Sequence, residues 1–356
     1  MRVFGKQTIR FMMEENKKCI ICEGKRLKKI NFGFSFFRRH FDENHKKYFC
    51  EECCLVQILP SPSQDYLNFL YSDLYRENIN YLNKKDEISI EFDWTSVSYK
   101  RFHNLKSLFL KNRLNKDDFT SILDLGGYQG AFAFAMKQFF ELTDITVADY
   151  DEYGLKLAQK YFDLKVCPID KIFSRQKKFK IISIVHVLEH LKNPLGHLNS
   201  ISNILDDDGI IYIEVPNNIN FPFSDKTHLF EFSPFSLKKI LDISKLRIID
   251  MNINGYPEIS TQTYVNNSNI SLLLTKESNT SFPFYEKQLN KLSIWKLKIN
   301  HFINDQKLIF KSLYRSLKLF LKMILYFVFS IISFVLPKIS NYMLLKLSRP
   351  GLKNYK

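Results

Sequence analysis

Residues 121–137 read SILDLGGYQGAFAFAMK: an apolar, strand-like run stops at a glycine turn, and an Ala/Phe-rich helical pattern begins directly behind it. The chain of 356 residues holds only 11 glycines, yet Gly126, Gly127 and Gly130 fall within five positions. The backbone here must turn tightly or meet something closely without Cβ atoms in the way. The pattern predicts a strand, a tight turn and a helix whose first amides are open to a ligand held at the turn. Such turns serve phosphates, dinucleotides and other nucleotides alike, so the spacing alone leaves the ligand open.

The following segments narrow it. DITVAD (144–149) predicts a second strand ending in Asp149, 19 positions after Gly130, where an acid can hydrogen-bond the ribose hydroxyls of an adenosine. With Asp124 the site carries two carboxylates and no phosphate-binding lysine, which suits a cationic, phosphate-free nucleoside. Expected strands near 121–126, 144–149, 164–167, 179–185 and 209–215 alternate with helical stretches. That alternation implies an α/β fold with a parallel, doubly wound sheet, whose ligands bind outside the carboxyl ends of the strands. Gly126, Asp149, Asp170 and His186 all fall at such ends.

DLGGYQG, the acid at 149, FKIISIVHVLEHLKNP (179–194), DDDGIIYIEVPN (206–217) and HLFEFSPFSLKKIL (228–241) follow one another as in the class I S-adenosylmethionine-dependent methyltransferases, which the chain resembles over roughly residues 115–276. The resemblance implies a Rossmann-like core of seven strands, completed by 246–253 and 269–275, with the last strand reversed. It also implies a pocket for S-adenosyl-L-methionine formed by Asp124, Gly126, Gly127, Gly130 and Asp149, with His186 shaping it and Asp170 near the adenine amino group. Tyr128 replaces the family's middle glycine, so the turn is expected to differ slightly there.

Methyl transfer from a sulfonium is an in-line displacement, in which the enzyme places a nucleophile and removes its proton in time. His186, His190 and His228 lie in segments at the expected mouth, and His228 and His186 are the catalytic candidates. In sugar C-methylating members a histidine serves as base within a Tyr-His-Glu-His run; here only the last member survives, as His228, after Asp225, Lys226 and Thr227. The acceptor atom, O or C, stays open, as does a packing role for His228. The Asn/Asp-Pro-Pro-Tyr/Phe motif of amide methylation is absent after the fourth strand, which weighs against methylation of nucleic-acid bases.

Two C-x2-C pairs, Cys19/Cys22 and Cys50/Cys53, stand 27 residues apart, the arrangement of two zinc knuckles building one tetrahedral thiolate site. Cys54, where a glycine often follows such a knuckle, reads as a spectator, and His40 and His45 as secondary alternatives. Residues 48–75 resemble the zinc module and linker of the sugar C-methyltransferases, in which the module lies against the active site. Tyr71 and Tyr75 are therefore candidates for the substrate wall, with a helix over 64–75 simply packing its tyrosines as the alternative. Residues 98–114 read as a basic amphipathic helix with solvated Lys and Arg.

The opening MRVFGKQTIR has no apolar run of the secretory kind, so cytosolic residence is the expectation. Of the formal net charge of +15, the segment from Tyr285 onward holds +12, fourteen Lys or Arg against Glu286 and Asp305, leaving a near-neutral core that argues against a nucleic-acid cleft. Lys307, Lys311, Arg315, Lys318 and Lys322 line up as one stripe of a helix, followed by the uncharged MILYFVFSIISFVL (323–336) and Pro337. Fourteen residues are short of the ~20 of a straight bilayer span, and the pair of features suits an interfacial helix with a shallow insertion, peripheral or monotopic on the cytoplasmic face. A buried helical hairpin is the alternative.

The resulting organisation is a zinc-binding module (1–62), a helical linker (63–114), a methyltransferase domain (115–284) and a basic hydrophobic tail (285–356). The expected substrate is a nucleotide-linked or lipid-linked saccharide of surface glycan synthesis. The competing readings are a zinc-containing RNA methyltransferase and a membrane-tethered adaptor with a vestigial fold.

Overall fold

The computed structural model describes residues 17–30, 45–69, 87–174, 176–218, 228–257 and 264–279, all within one compact unit. Three short strands open it: Leu27–Lys29 (β1), Lys46–Cys50 (β2) and Val56–Leu59 (β3), paired antiparallel in that order. Helices Gln64–Phe69 (α1) and Glu87–Lys111 (α2) lead to the first strand of the main sheet, Ile122–Leu125 (β4), all four of whose residues are buried.

From there strand and helix alternate: Ala131–Phe140 (α3), Ile145–Asp149 (β5), Glu152–Phe162 (α4), Lys165–Pro168 (β6), the single turn Ile169–Ile172 (α5) and Phe179–Val185 (β7). Pro194–Ile204 (α6), Leu205–Pro216 (β8), Phe230–Glu231 (β9), Pro234–Ile243 (α7), Leu246–Pro257 (β10) and Tyr264–Lys276 (β11) complete it. Helix starts follow local chemistry. Asp151 accepts from the amides of Tyr153 and Gly154 to cap α4, Asn193 caps α6 with Pro194 in its first turn, and Ser233 and Ser236 form a capping box on α7.

The main sheet runs β10-β11-β8-β7-β4-β5-β6, with β8, β7, β4, β5 and β6 parallel and β11 antiparallel to both its neighbours. This is the expected seven-stranded, Rossmann-like core with its last strand reversed. Both faces are covered, as a parallel sheet requires: Phe102, Leu105, Leu108 and Phe109 of α2 pack with Phe132 and Met136 of α3 on one side, and Leu198 and Ile201 of α6 pack with Leu237 and Ile240 of α7 on the other. The chain leaves β4 toward β5 and β6, then returns to place β7 on the opposite flank, so the crevice where strand order reverses opens between the ends of β4 and β7.

Two features depart from the sequence expectation. Helix α2 is amphipathic with Lys100 and Lys111 exposed, as expected, but Arg101 is not solvated: it is 7% exposed, because it shares the face that carries Leu105 and Leu108 onto the sheet and meets Glu214 there, Nε to Oε1 4.0 Å. The N-terminal sheet also gains a fourth strand from the core, β9, which pairs antiparallel with β3. Cys19, Cys50, Cys53, Leu55 and Ile58 accordingly pack into the same buried cluster as Leu188, Leu229 and Phe230. Among the described residues no helix is long and apolar enough to cross a membrane, and the tail 285–356 lies outside them.

Candidate active site

The turn after β4 is built on left-handed residues. Gly126 has φ +74° and Gly130 φ +78°, and a Cβ on Gly126 would stand 2.3 Å from Cγ2 of Val187. A Cβ on Gly127 would stand 2.4 Å from Oδ2 of Asp124. Tyr128, where the resemblance expects a glycine, takes the left-handed conformation itself, φ +45°. Two partners support it. Its amide donates to Oδ2 of Asp149 at 2.8 Å, and its ring fills the space left open by Gly154, where a Cβ would meet Tyr128 Cδ2 at 2.5 Å.

Asp124 is buried, with one oxygen bonded by Ser183 Oγ at 2.6 Å and Oδ2 lacking a hydrogen-bond partner. Burial, with the nearby Asp149 charge, raises its pKa to about 7. Asp149, at the end of β5, accepts from Asp151 N at 2.8 Å as well as from Tyr128, yet burial still raises its pKa. Tyr150 beside it is 67% exposed; partial burial and then the charges of Asp170 and Asp149 push its phenol up, so these three residues adjoin. A glycine cradle open to close approach, an orphaned oxygen on a buried acid and an exposed ring beside a strand-end carboxylate fit a cationic nucleoside such as S-adenosyl-L-methionine.

Beyond the crevice, Val187 abuts the glycine turn and carries the HVLEH segment with it. His186 has φ +55°. Its Nδ1 lies 3.3 Å from Glu189 Oε1 and its Nε2 lies 3.4 Å from Glu214 Oε1. Glu214 is fully buried on β8 and accepts from Asn104 (2.8 Å), Tyr212 (2.8 Å), Ser271 (3.0 Å) and Asn269 (2.9 Å). Burial works against its charge, but the His186 imidazole, Arg101 and these donors win, holding its pKa at about 2. His228 is buried, its ring 4.8 Å from that of His190 at 72°. Burial, then His190, Lys47 and His186, lower its pKa well below the histidine range, so it is a neutral imidazole at pH 7.

The four cysteines converge: the Cys19 and Cys53 sulfurs are 3.5 Å apart, as are those of Cys22 and Cys50. All four sulfurs lie within 4.8 Å of one another, close to the separations of four thiolates on one ion at Zn–S of ~2.3 Å. So many thiols cannot ionise together without a cation. Contact with Cys50 and burial push Cys19 up to about 12, while contact with Cys19 and Cys53 lowers Cys50 to about 2. The set fits zinc. Cys54 stands outside it with φ +61°, the conformation that makes glycine frequent there, and the described His45 bonds the carbonyl of Pro60 instead.

The structure thus brings Asp124, Gly126, Gly127, Gly130, Asp149 and Asp170 to one side of the crevice and His186 and His228 to the other, and gathers the cysteines at the turn between β2 and β3. Tyr71, Tyr75, Asp225, Lys226, Thr227 and His40 lie outside the described residues. Sequence reasoning overlooked three members. Tyr150 was signalled by an aromatic directly after the strand-end acid, Glu214 by a lone acid within the apolar IYIEVP, and Glu189 by its place between two histidines.

Residues 97–249 match the family model described as a methyltransferase domain. No curated protein matches the chain. Solved structures similar to it include an S-adenosylmethionine-dependent methyltransferase from Clostridium acetobutylicum ATCC 824, 12% identical over 57% of this chain and 99% of its own, TM-score 0.39. A second, from Archaeoglobus fulgidus, is 18% identical over 49% of this chain and 94% of its own, TM-score 0.38. A glycopeptide N-methyltransferase solved with S-adenosyl-L-methionine is 11% identical over 49% and 86%, TM-score 0.38.

Proposed function

We propose, from the premise that residues 97–249 are an S-adenosylmethionine-dependent methyltransferase domain, that the chain methylates an oxygen or carbon of a saccharide, nucleotide-linked or lipid-linked. When bound, S-adenosyl-L-methionine supplies a methyl group on a cationic sulfur; the protein's task is to hold the acceptor in line and receive its proton. The observation that carries the reading is the junction of the N-terminal module with the histidine loop. Strand β3 pairs with β9 immediately after His228, Ile58 N donates to Leu229 O at 3.0 Å, and Asn218 Nδ2 donates to Cys54 O at 3.1 Å. The module therefore walls the acceptor side of the crevice, where a bulky acceptor needs enclosure, and zinc on its cysteines would stiffen that wall.

Within the crevice Asp149 would hold the ribose hydroxyls and Asp124 would answer the cationic end, while neutral His228 would offer a lone pair to the acceptor's proton. His186 is oriented through its Nε2, which lies 3.4 Å from Glu214 Oε1 and 3.3 Å from Asn269 Nδ2. The basic stripe and uncharged run of the tail, which lie outside the described residues, support delivery of the enzyme to the cytoplasmic membrane face, where lipid-linked acceptors reside.

Transfer of labelled methyl from S-adenosyl-L-methionine to a panel of nucleotide sugars and lipid-linked saccharides tests the substrate class. His228→Ala should lower turnover at unchanged cofactor affinity; no transfer to any saccharide, with S-adenosyl-L-methionine bound, would refute the acceptor class. For the tail, full-length protein should sediment with anionic liposomes and protein truncated after Tyr285 should not.

A further inference from the structure

The same loop junction concentrates more donors than proton transfer by His228 requires. Glu189 is fully buried, yet neither carboxylate oxygen has a hydrogen-bond partner; its neighbours are two imidazoles, His186 Nδ1 at 3.3 Å and His190 Nε2 at 4.0 Å from Oε1. A carboxylate so buried is costly unless a cation answers it. His228 is likewise buried, and its ring is turned edge-on to that of His190. One donor atom from each of Glu189, His190 and His228 lies within 4.8 Å of the others. The backbone fixes this convergence, because Leu229 N donates to Glu189 O at 2.9 Å and β9 is anchored by β3.

We infer that Glu189, His190 and His228 form a second metal site, distinct from the four cysteines, for a divalent transition ion at the mouth of the crevice. Two groups on opposite sides of an ion at ~2.1 Å stand ~4.2 Å apart, so a small rotation of His190, which is partly exposed, closes the set. Two imidazoles and one carboxylate suit Mn, Fe, Co, Ni or Zn, whereas four thiolates favour zinc, so the two sites differ in softness. Three protein ligands leave coordination positions free, and Val187, between His186 and the Glu189 pair, abuts the glycine turn. The open side would hold an acceptor oxygen and lower its pKa. His228 would then act as a ligand in place of proton acceptor; this use of the ion, though not its binding, rests on the methyltransferase reading.

The test uses the full-length, zinc-loaded protein titrated with Mn2+ and followed by electron paramagnetic resonance, with Co2+ absorption as a second probe. About one Mn2+ should bind per chain without displacing the cysteine-bound zinc. Glu189→Gln, which keeps the side chain's size, and His228→Asn should each weaken binding by about tenfold or more. If His228→Asn fails to fold, Glu189→Gln decides alone. No Mn2+ or Co2+ binding, or equal binding by the folded variants, overturns the site. S-adenosyl-L-methionine is titrated in parallel. Cofactor binding without Mn2+ binding rejects the ion and keeps the methyltransferase; variant-sensitive Mn2+ binding without cofactor binding does the reverse.

Discussion

Replacing Glu214 by Gln tests whether the buried network beneath His186 is held by charge. The carboxylate ionises at about 2 instead of 4.5, so the folded site favours the anion over the neutral acid by roughly 3 kcal/mol at 1.36 kcal/mol per tenfold. The sign follows from the depression: this stability is fully present above pH 4.5 and is lost as pH falls from 4.5 toward 2. In Glu214→Gln the amide oxygen can keep the three donors now on Oε2, from Asn104, Tyr212 and Ser271. The new NH2 then faces Asn269 Nδ2, which donates to Oε1 in the wild type and would keep only its 3.3 Å contact with His186 Nε2. The neutral amide stands for the neutral acid, so the preference of roughly 3 kcal/mol for the anion is forfeited and a net loss of about 3 kcal/mol is expected at pH 7. Urea denaturation of the zinc-loaded full chain, followed by far-ultraviolet circular dichroism at pH 7, 5 and 3.5, measures it. The gap between the two proteins should narrow from pH 5 to pH 3.5, since only the wild type loses this contribution. A gap under about 1 kcal/mol at pH 7, or one that stays constant with pH, would refute the reasoning.

Three further outcomes follow from the same geometry. Gly126→Ala puts a Cβ 2.3 Å from Val187 in a left-handed residue and should cost at least ~1–2 kcal/mol and block S-adenosyl-L-methionine binding; calorimetric titration showing wild-type affinity would count against the cradle. Asp124, raised from 3.8 to about 7 by burial, makes the free fold less stable as pH rises between those values, while a cation that favours its ionised form should bind more tightly at pH 8 than at pH 6 and release a proton; titrations in buffers of different ionisation enthalpy read that proton directly. Cys50→Ser, or removal of zinc by chelation, should raise hydrogen exchange in Val56–Leu59 and in the β9 residues paired to it, without changing exchange in β4 or β5; unaltered protection of β3 would show that the module stands without its metal.

The alternation of strand and helix, the glycine turn and the paired C-x2-C spacing were legible because each is short-range: hydrophobic period, a need for φ above zero and ligand spacing are all written in a few adjacent residues. Asp149 and His186 were placed at strand ends by the same rule. The rest depended on contacts between distant segments. Glu214 is stable as an anion only because residues 101, 104, 186, 212, 269 and 271 converge on it from two helix and sheet layers, and a lone acid in an apolar strand carries no record of those partners. Arg101 was misread as solvated for the same reason. Tyr128 keeps a conformation that favours glycine because Asp149, 21 positions on, takes its amide and Gly154 makes room for its ring. His228 could not be tied to Glu189 and the cysteine module until β9 joined β3, since pairing between strands more than 170 residues apart is decided by the packed core and leaves no local trace.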